Sequence, residues 1–142
     1  MANLNQDRSL MHDVLSNAVT VAVVGHSDKP HRTSYQIATF LRNAGYQVIP
    51  VNPTVSSIDG ERCYPSLDAI PVPVDIVNVF RRSIYLADIV DETIAMGADT
   101  IWTQLGVIDT AAQDKALEAG LHFAMNLCIK VEYMRLGIKR QY

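Results

Sequence analysis

The chain has 142 residues, 49% of them hydrophobic and 19% charged, which is the length and composition of one ordered globular domain able to bury its own core. Twelve Lys and Arg against fifteen Asp and Glu give a net charge of −3 and a pI near 5.7, the wrong sign for holding nucleic acid by phosphate neutralisation. Cys63 and Cys128 lie far apart with no CxxC or His/Cys cluster, and no apolar leader core or membrane-length run occurs. The composition therefore suits a protein of the reducing cytoplasm, without nucleic acid or membrane as partner.

In chain order, residues 1–16 are expected to form a helical extension, and Thr20–Val24 the first strand. Ile37, Phe40, Leu41 and Ala44 then repeat at helical spacing up to Gly45, a left-handed stop. Tyr46–Val51 reads as the second strand. The stretch from Pro53 to Pro73 holds four prolines and one short helical candidate, Ser66–Ile70, and reads as an ordered crossover. Asp75–Val79 is the third strand. A helix over Ile84–Met96 follows, with Ser83 as N-cap, Ala87, Val90 and Ile94 inward and Gly97 closing it. Thr100–Thr103 is the fourth strand. The helix over Ala111–Ala119 starts from Thr110 and Gln113 at capping-box spacing, turns Ala112, Ala116 and Ala119 inward and ends at Gly120; His122–Met125 is a weaker fifth strand.

The strands are continuous apolar runs rather than alternating ones, the texture of strands covered on both faces. Strand and helix alternating with short connections give an α/β fold, a Rossmann-like doubly wound parallel sheet of five strands with helices on both faces, in the expected order 3-2-1-4-5. Ligands of such sheets sit outside the carboxyl ends, here expected where the winding reverses between the first and fourth strands.

After the first strand stands Gly25-His26-Ser27-Asp28-Lys29-Pro30-His31-Arg32-Thr33-Ser34. Glycine lets a backbone approach a ligand, and the amides opening the helix at Thr33 to Tyr35 form an anion seat. A solvated helix start would also read this way, but Lys29 and Arg32 clustering here in an acidic chain favour phosphate binding. The loop lacks G-x-G-x-x-G, and the second strand ends Val51-Asn52-Pro53 with no acid for a ribose, which disfavours NAD; no GxxxxGK[ST] is present for ATP cleavage. The third strand ends Phe80-Arg81-Arg82, where guanidinium forks beside an aromatic suit a phosphate and an adenine; the other reading has the arginines pair with Asp88 and Asp91. Gln104-Leu105-Gly106 after the fourth strand and Asn126-Leu127-Cys128 after the fifth are neutral, with amides suited to a pantetheine arm.

These residues resemble the small stand-alone coenzyme A-binding proteins related to the N-terminal domain of the succinyl-CoA synthetase α subunit. The resemblance runs from about Val14 to Leu136. It rests on Val21–Gly25 with Ser27, Pro30, Arg32 and Ser34, on Val48–Pro53, on Gly60–Leu67, on Val74–Val77 with Val79–Arg82, and on Trp102 with Gln104–Gly106. It implies Gly25, Ser27, Arg32 and Ser34 at the diphosphate of CoA, with His26 and Lys29 in the same loop. Val51, Asn52 and Pro53 would lie near the adenosine, Phe80, Arg81 and Arg82 around the adenine and its phosphates, and Gln104, Leu105 and Gly106 along the pantetheine, toward Asn126 and Cys128. Where the family commonly shows Asp-Arg-Cys, then Lys and a Glu-His pair, this chain has Asn126-Leu127-Cys128, Lys130 and Glu132-Tyr133. Roles of the missing Asp, Arg and His do not transfer.

No histidine pair has HxH or HExxH spacing, and no nucleophile-base set is evident. His26 and His31 read as surface loop histidines able to donate to phosphate, Cys128 as a small buried residue, and Trp102 as core. The expectation is a CoA or acyl-CoA binding module without catalysis of its own, a carrier, sensor or regulator. Two alternatives are a subunit of an acyl-CoA ligase or transferase needing a partner chain, and an interaction protein with a vestigial nucleotide site. Assembly, as a homodimer or with another protein, stays open.

Overall fold

The apolar runs form strands because β-branched residues dominate them, and they are buried on both faces as the lack of alternation requires. The computed structural model describes residues 2–140. In chain order these form β1 (Ala2–Asn3), a 3₁₀ turn over Leu4–Gln6, α1 (Arg8–Asn17), β2 (Thr20–Val24), α2 (Thr33–Asn43) and β3 (Gln47–Val51). The crossover carries a hairpin of β4 (Ser57–Ile58) and β5 (Glu61–Arg62) and a 3₁₀ turn over Leu67–Ala69. Then come β6 (Ile76–Val79), a 3₁₀ turn over Ser83–Tyr85, α3 (Leu86–Met96), β7 (Thr100–Thr103), α4 (Thr110–Glu118), β8 (His122–Ala124) and α5 (Ile129–Arg135).

The main sheet is parallel, as expected, but has six strands in the order β1-β8-β7-β6-β2-β3. The expected order put the second strand between the first and third; instead β6 lies against β2, and β3 is the edge. Pro50 explains this. It has no N–H to give a ladder, so an interior place for β3 would break the pairing on one side. The Pro50 carbonyl points to the outer edge, where it accepts only the Tyr64 amide at 3.0 Å. On the other side, the Asp75 carboxylate accepts the amides of Val19 at 2.8 Å and Thr20 at 3.0 Å, fixing the start of β6 beside the start of β2. The winding thus reverses between β2 and β6, not between the first and fourth strands.

Two cores flank the sheet. One holds Ala22, Val24, Val77, Val79, Ile101 and Phe123 against α3 and α4; the other holds Val21, Val23, Ile76 and Trp102 against α1, α2 and α5. Trp102 is core, as its strand position implies. Several helix details differ from the sequence reading. α3 buries Leu86, Ile89, Val90 and Thr93, while Ala87 and Ile94 are exposed, because a 3₁₀ turn at Ser83–Tyr85 rotates the helix start. α4 is capped by Asp109, whose carboxylate accepts the Ala112 amide at 3.0 Å; Thr110 is its first residue, and Ala119 is exposed. The hairpin went unread, although Asp59-Gly60, both with positive φ (51° and 82°), is a residue pair suited to a tight two-residue turn.

The N-terminal extension is helical only over α1. Ahead of it, β1 adds a sixth strand against β8, and Asn5 continues the pairing with its side chain: its amide donates to the Met125 carbonyl at 2.8 Å and accepts the Met125 amide at 2.9 Å. Leu4 is 0% exposed within the core of α1 and α5. The C-terminal segment returns here, where Arg140 lies over the Tyr46 ring at 3.7 Å and donates to the Leu15, Ser16 and Ala18 carbonyls at the end of α1.

The extension is therefore part of the stable fold. Leu4→Ala is expected to cost about 2–4 kcal/mol and to lower the thermal midpoint by several degrees. Val19→Ala, at a residue 60% exposed, is expected to stay within about 0.5 kcal/mol of the parent. Calorimetric melting of the two variants checks this, and equal midpoints would show the extension to be dispensable.

Candidate functional site

The reversal between β2 and β6 sets two carboxyl ends side by side. The Phe80 amide donates to the Val24 carbonyl at 2.9 Å, continuing the ladder past both strands, and the chain at Arg81 passes behind Gly25. A Cβ on Gly25, whose φ is +88°, would stand 3.3 Å from Arg81 Cδ and 3.4 Å from the Arg81 amide nitrogen. Only glycine accepts both that φ and that approach.

Two adjoining clefts open on this rim, sharing Gly25, Asn52, Thr54 and Phe80. One, of about 460 Å³, is bordered by Ser27, Asp28, Lys29, Arg32, Thr33 and Ser34; the other, of about 360 Å³, by Pro53, Arg81, Arg82 and Tyr85. Arg32 occupies the N-cap of α2, and no side chain caps that helix. The first amides of α2 are thus left for an acceptor from outside, with the positive end of the helix dipole behind them. The loop is held by its own serines, with Ser34 Oγ accepting the Ser27 amide at 2.9 Å and Ser27 Oγ the Lys29 amide at 3.0 Å. Asn52 braces it from β3, donating to the His26 carbonyl at 3.0 Å while its oxygen accepts from the Thr54 amide and hydroxyl. Across the rim both guanidinium groups converge on one ring: Arg81 Cζ lies 4.0 Å and Arg82 Cζ 5.9 Å from the Tyr85 centroid. Hydrogen bonding from Arg82, then Arg81, draws the Tyr85 phenol below its ordinary pKa. Neither arginine pairs with Asp88 or Asp91 among the ion pairs of the described residues; Asp91 is engaged by Lys115 of α4. The expectation of cations and amide donors on one rim is met, with Tyr85 and Thr54 as lining residues that the sequence reading missed. Tyr85 was signalled by its spacing of four from Arg81.

His26 is the main departure. It is no surface histidine: its side chain is 0% exposed, Nδ1 lies 2.7 Å from the Ser27 carbonyl, Nε2 lies 3.3 Å from Arg42, and Tyr35 packs edge-on against the ring. The carbonyl can only accept, so Nδ1 carries the proton and Nε2 accepts from the guanidinium. The ring supports the loop after β2 from beneath. His31, in contrast, is exposed.

The remaining expected residues divide. Val51 is a buried strand residue that lines a smaller cleft of about 180 Å³ under Pro53 and Arg81. Gln104, Leu105, Gly106 and Asn126 border neither of the two cationic clefts; they stand further along the rim at the ends of β7 and β8, joined by the Gly106 amide donating to Asn126 Oδ1 at 2.8 Å. The Gln104 side-chain oxygen is buried with no partner. Cys128 is buried at the start of α5 and Cys63 in the crossover, both as free thiols. A further cleft of about 260 Å³ lies at the opposite, amino ends of the strands, edged by Asp13, Asp75 and Asp99, a charge that repels a polyanion. Among the described residues no group of three or more His, Cys, Asp or Glu is placed to hold a metal ion.

The chain is similar in sequence and fold to several known proteins. A protein of Bacillus subtilis (strain 168), YneT, is 39% identical over 129 residues, spanning 91% of this chain and 96% of its own length. The structure of cell-free ID.343 from Thermus thermophilus superposes with a TM-score of 0.88 at 33% identity, covering 92% of this chain and 99% of that one. The apo form of a dinucleotide forming acetyl-coenzyme A synthetase 1 from Ca. Korarchaeum cryptofilum shares the fold at 24% identity, with a TM-score of 0.69 over 78% of this chain and 26% of that one. The family model for the CoA binding domain matches residues 19–134, and the chain belongs to that family.

Proposed function

We propose that the chain, acting as one binding domain, holds coenzyme A or an acyl-CoA on the rim formed by β2, β6 and β7, without catalysis of its own, as a carrier, sensor or regulatory module in the cytoplasm. The observation that carries this reading is the uncapped start of α2 on a pair of adjoining clefts whose described lining has Lys29, Arg32, Arg81 and Arg82 against Asp28 as the one acid, in a chain of net charge −3. The diphosphate would sit over Gly25, Ser27, Lys29, Arg32 and Ser34, where backbone and side-chain donors meet. The adenosine would occupy the cleft beside Asn52 and Pro53, with Phe80, Arg81 and Arg82 around the base and the ribose phosphate. The neutral arm would follow Gln104, Leu105 and Gly106 toward Asn126. Membership of the CoA binding domain family supports the ligand class. The free thiols Cys63 and Cys128 fit a reducing compartment.

Titration calorimetry with CoA, dephospho-CoA and NADH tests the ligand. Saturable heat with CoA is expected, and none up to millimolar concentration would leave a vestigial site. Replacing Arg81 and Arg82 together by alanine is expected to weaken CoA at least about tenfold, a typical loss for charge-assisted phosphate contacts. Dephospho-CoA should lose less, and equal losses for both ligands would remove the two arginines from the ribose phosphate.

His26 gives the seat a pH dependence. Burial holds its pKa below the ordinary 6.5, and Arg42 pushes the same way, outweighing the opposing pull of the Ser27 carbonyl and Asp59. The unfolded chain then takes up the proton first as pH falls through 6.5, so the stabilisation present above that pH declines down to the folded-state pKa. Between pH 6.5 and 5 the melting temperature of the parent should fall more steeply than that of His26→Gln. Parallel slopes would mean that His26 does not titrate in this window.

A further inference from the structure

The rim also carries an apolar patch that nucleotide recognition does not use. Ile84 is 81% exposed, Leu105 61% and Ile108 48%. They come from the loops after two adjacent strands, β6 and β7, and are held as a unit. The Ser83 hydroxyl accepts the Ile108 amide at 2.8 Å and donates to the Gly106 carbonyl at 3.4 Å. The Thr103 hydroxyl donates to the Val107 carbonyl at 2.7 Å and accepts the Asn126 amide at 2.9 Å, while Asn126 holds the Gly106 amide. Asp109, next to Ile108 in the chain, is turned into the start of α4 as its cap. A hydrogen-bonded frame that fixes the two loops holds the backbone positions of these aliphatic residues together in water, which lowers the ordering cost of an apolar contact.

We propose that this patch is the bed of an aliphatic acyl group, so that the ligand of the site is an acyl-CoA of medium chain length rather than free CoA. The inference rests on the reading of the site as a CoA site. In that reading every charge of the ligand lies at the cationic clefts and the thioester end is neutral. That end leaves along Leu105 and Gly106, directly onto the patch. Three side chains offer far less than the roughly 800 Å² per partner of a standard protein interface. The other exposed large aliphatics belong to other elements: Val19 precedes β2, Val72 lies in the crossover, Ile94 on α3, and Val131 and Met134 on α5.

Titrating the protein with CoA, acetyl-CoA, hexanoyl-CoA and octanoyl-CoA tests the proposal. Octanoyl exceeds acetyl by six methylenes, and burying even about a third of that surface is worth roughly tenfold in affinity. Octanoyl-CoA is therefore expected to bind about tenfold tighter than acetyl-CoA. In the variant Ile84→Ser, Ile108→Ser that gain should vanish while free CoA binds as before. Equal affinity for all four ligands, or a chain-length gain that survives in the variant, overturns the bed and leaves the CoA site standing. No heat with any of the four sinks the CoA site itself, and the bed with it. A parent dimer that becomes a monomer in the variant, read by light scattering, would assign the patch to a contact between copies and overturn the proposal equally.

Discussion

The pairing of β2 with β6 is the constraint on which the rim depends. Parallel strands side by side must send their chains out at the same end, and Gly25 lets the Arg81 backbone pass within van der Waals distance of the loop after β2. One strand pairing thus converts two separate sequence features, a glycine loop opening a helix and an Arg-Arg after a strand, into a single electropositive surface. Had β3 separated the two strands, a strand spacing of about 4.8 Å would have been added between the loop and the guanidinium groups. A bulky residue at position 25 would spoil this arrangement twice, through its φ and through its Cβ.

Two helix starts on the rim, those of α2 and α4, are treated differently. α4 is sealed by the Asp109 carboxylate, which both satisfies an amide and neutralises the dipole. α2 is left open with an arginine at its N-cap, a position where a cation opposes the dipole and an uncapped helix forfeits about 1 kcal/mol. The same contrast appears in the side chains nearby, where cations and a tyrosine border the open helix and exposed isoleucine and leucine border the sealed one. A polyanion with a neutral arm is the kind of molecule whose two ends match these two surfaces.

Much of the fold was legible because it depends on local pattern. β2, β6 and β7 are continuous apolar runs, and the sequence places them within a residue of where they lie. The strand order was legible too, in Pro50 alone, which marks β3 as an edge, but the apolar run Val48-Ile49-Pro50-Val51 draws attention away from one missing N–H. What could not be read are features set by long-range contact. β1 is two residues long and exists because β8 offers an edge, with Asn5 imitating backbone from 120 positions away. His26 has the loop neighbours of an exposed residue, and only the packing of α2 and Arg42 shows that it lies beneath the loop. The site was legible as a set of residue types along the rim, cationic after β2 and β6 and neutral after β7 and β8, whereas the place of His26 beneath the loop and the lining by Tyr85 and Thr54 were not.

That division bears on Asn126, at the neutral end of the rim. It takes a left-handed conformation with φ of 63° that asparagine tolerates better than most side chains. Its Oδ1 is the acceptor that the Gly106 amide needs, so the loop is held without a formal charge. The loop is thus braced by a neutral amide at the end of the rim where Leu105 exposes aliphatic surface.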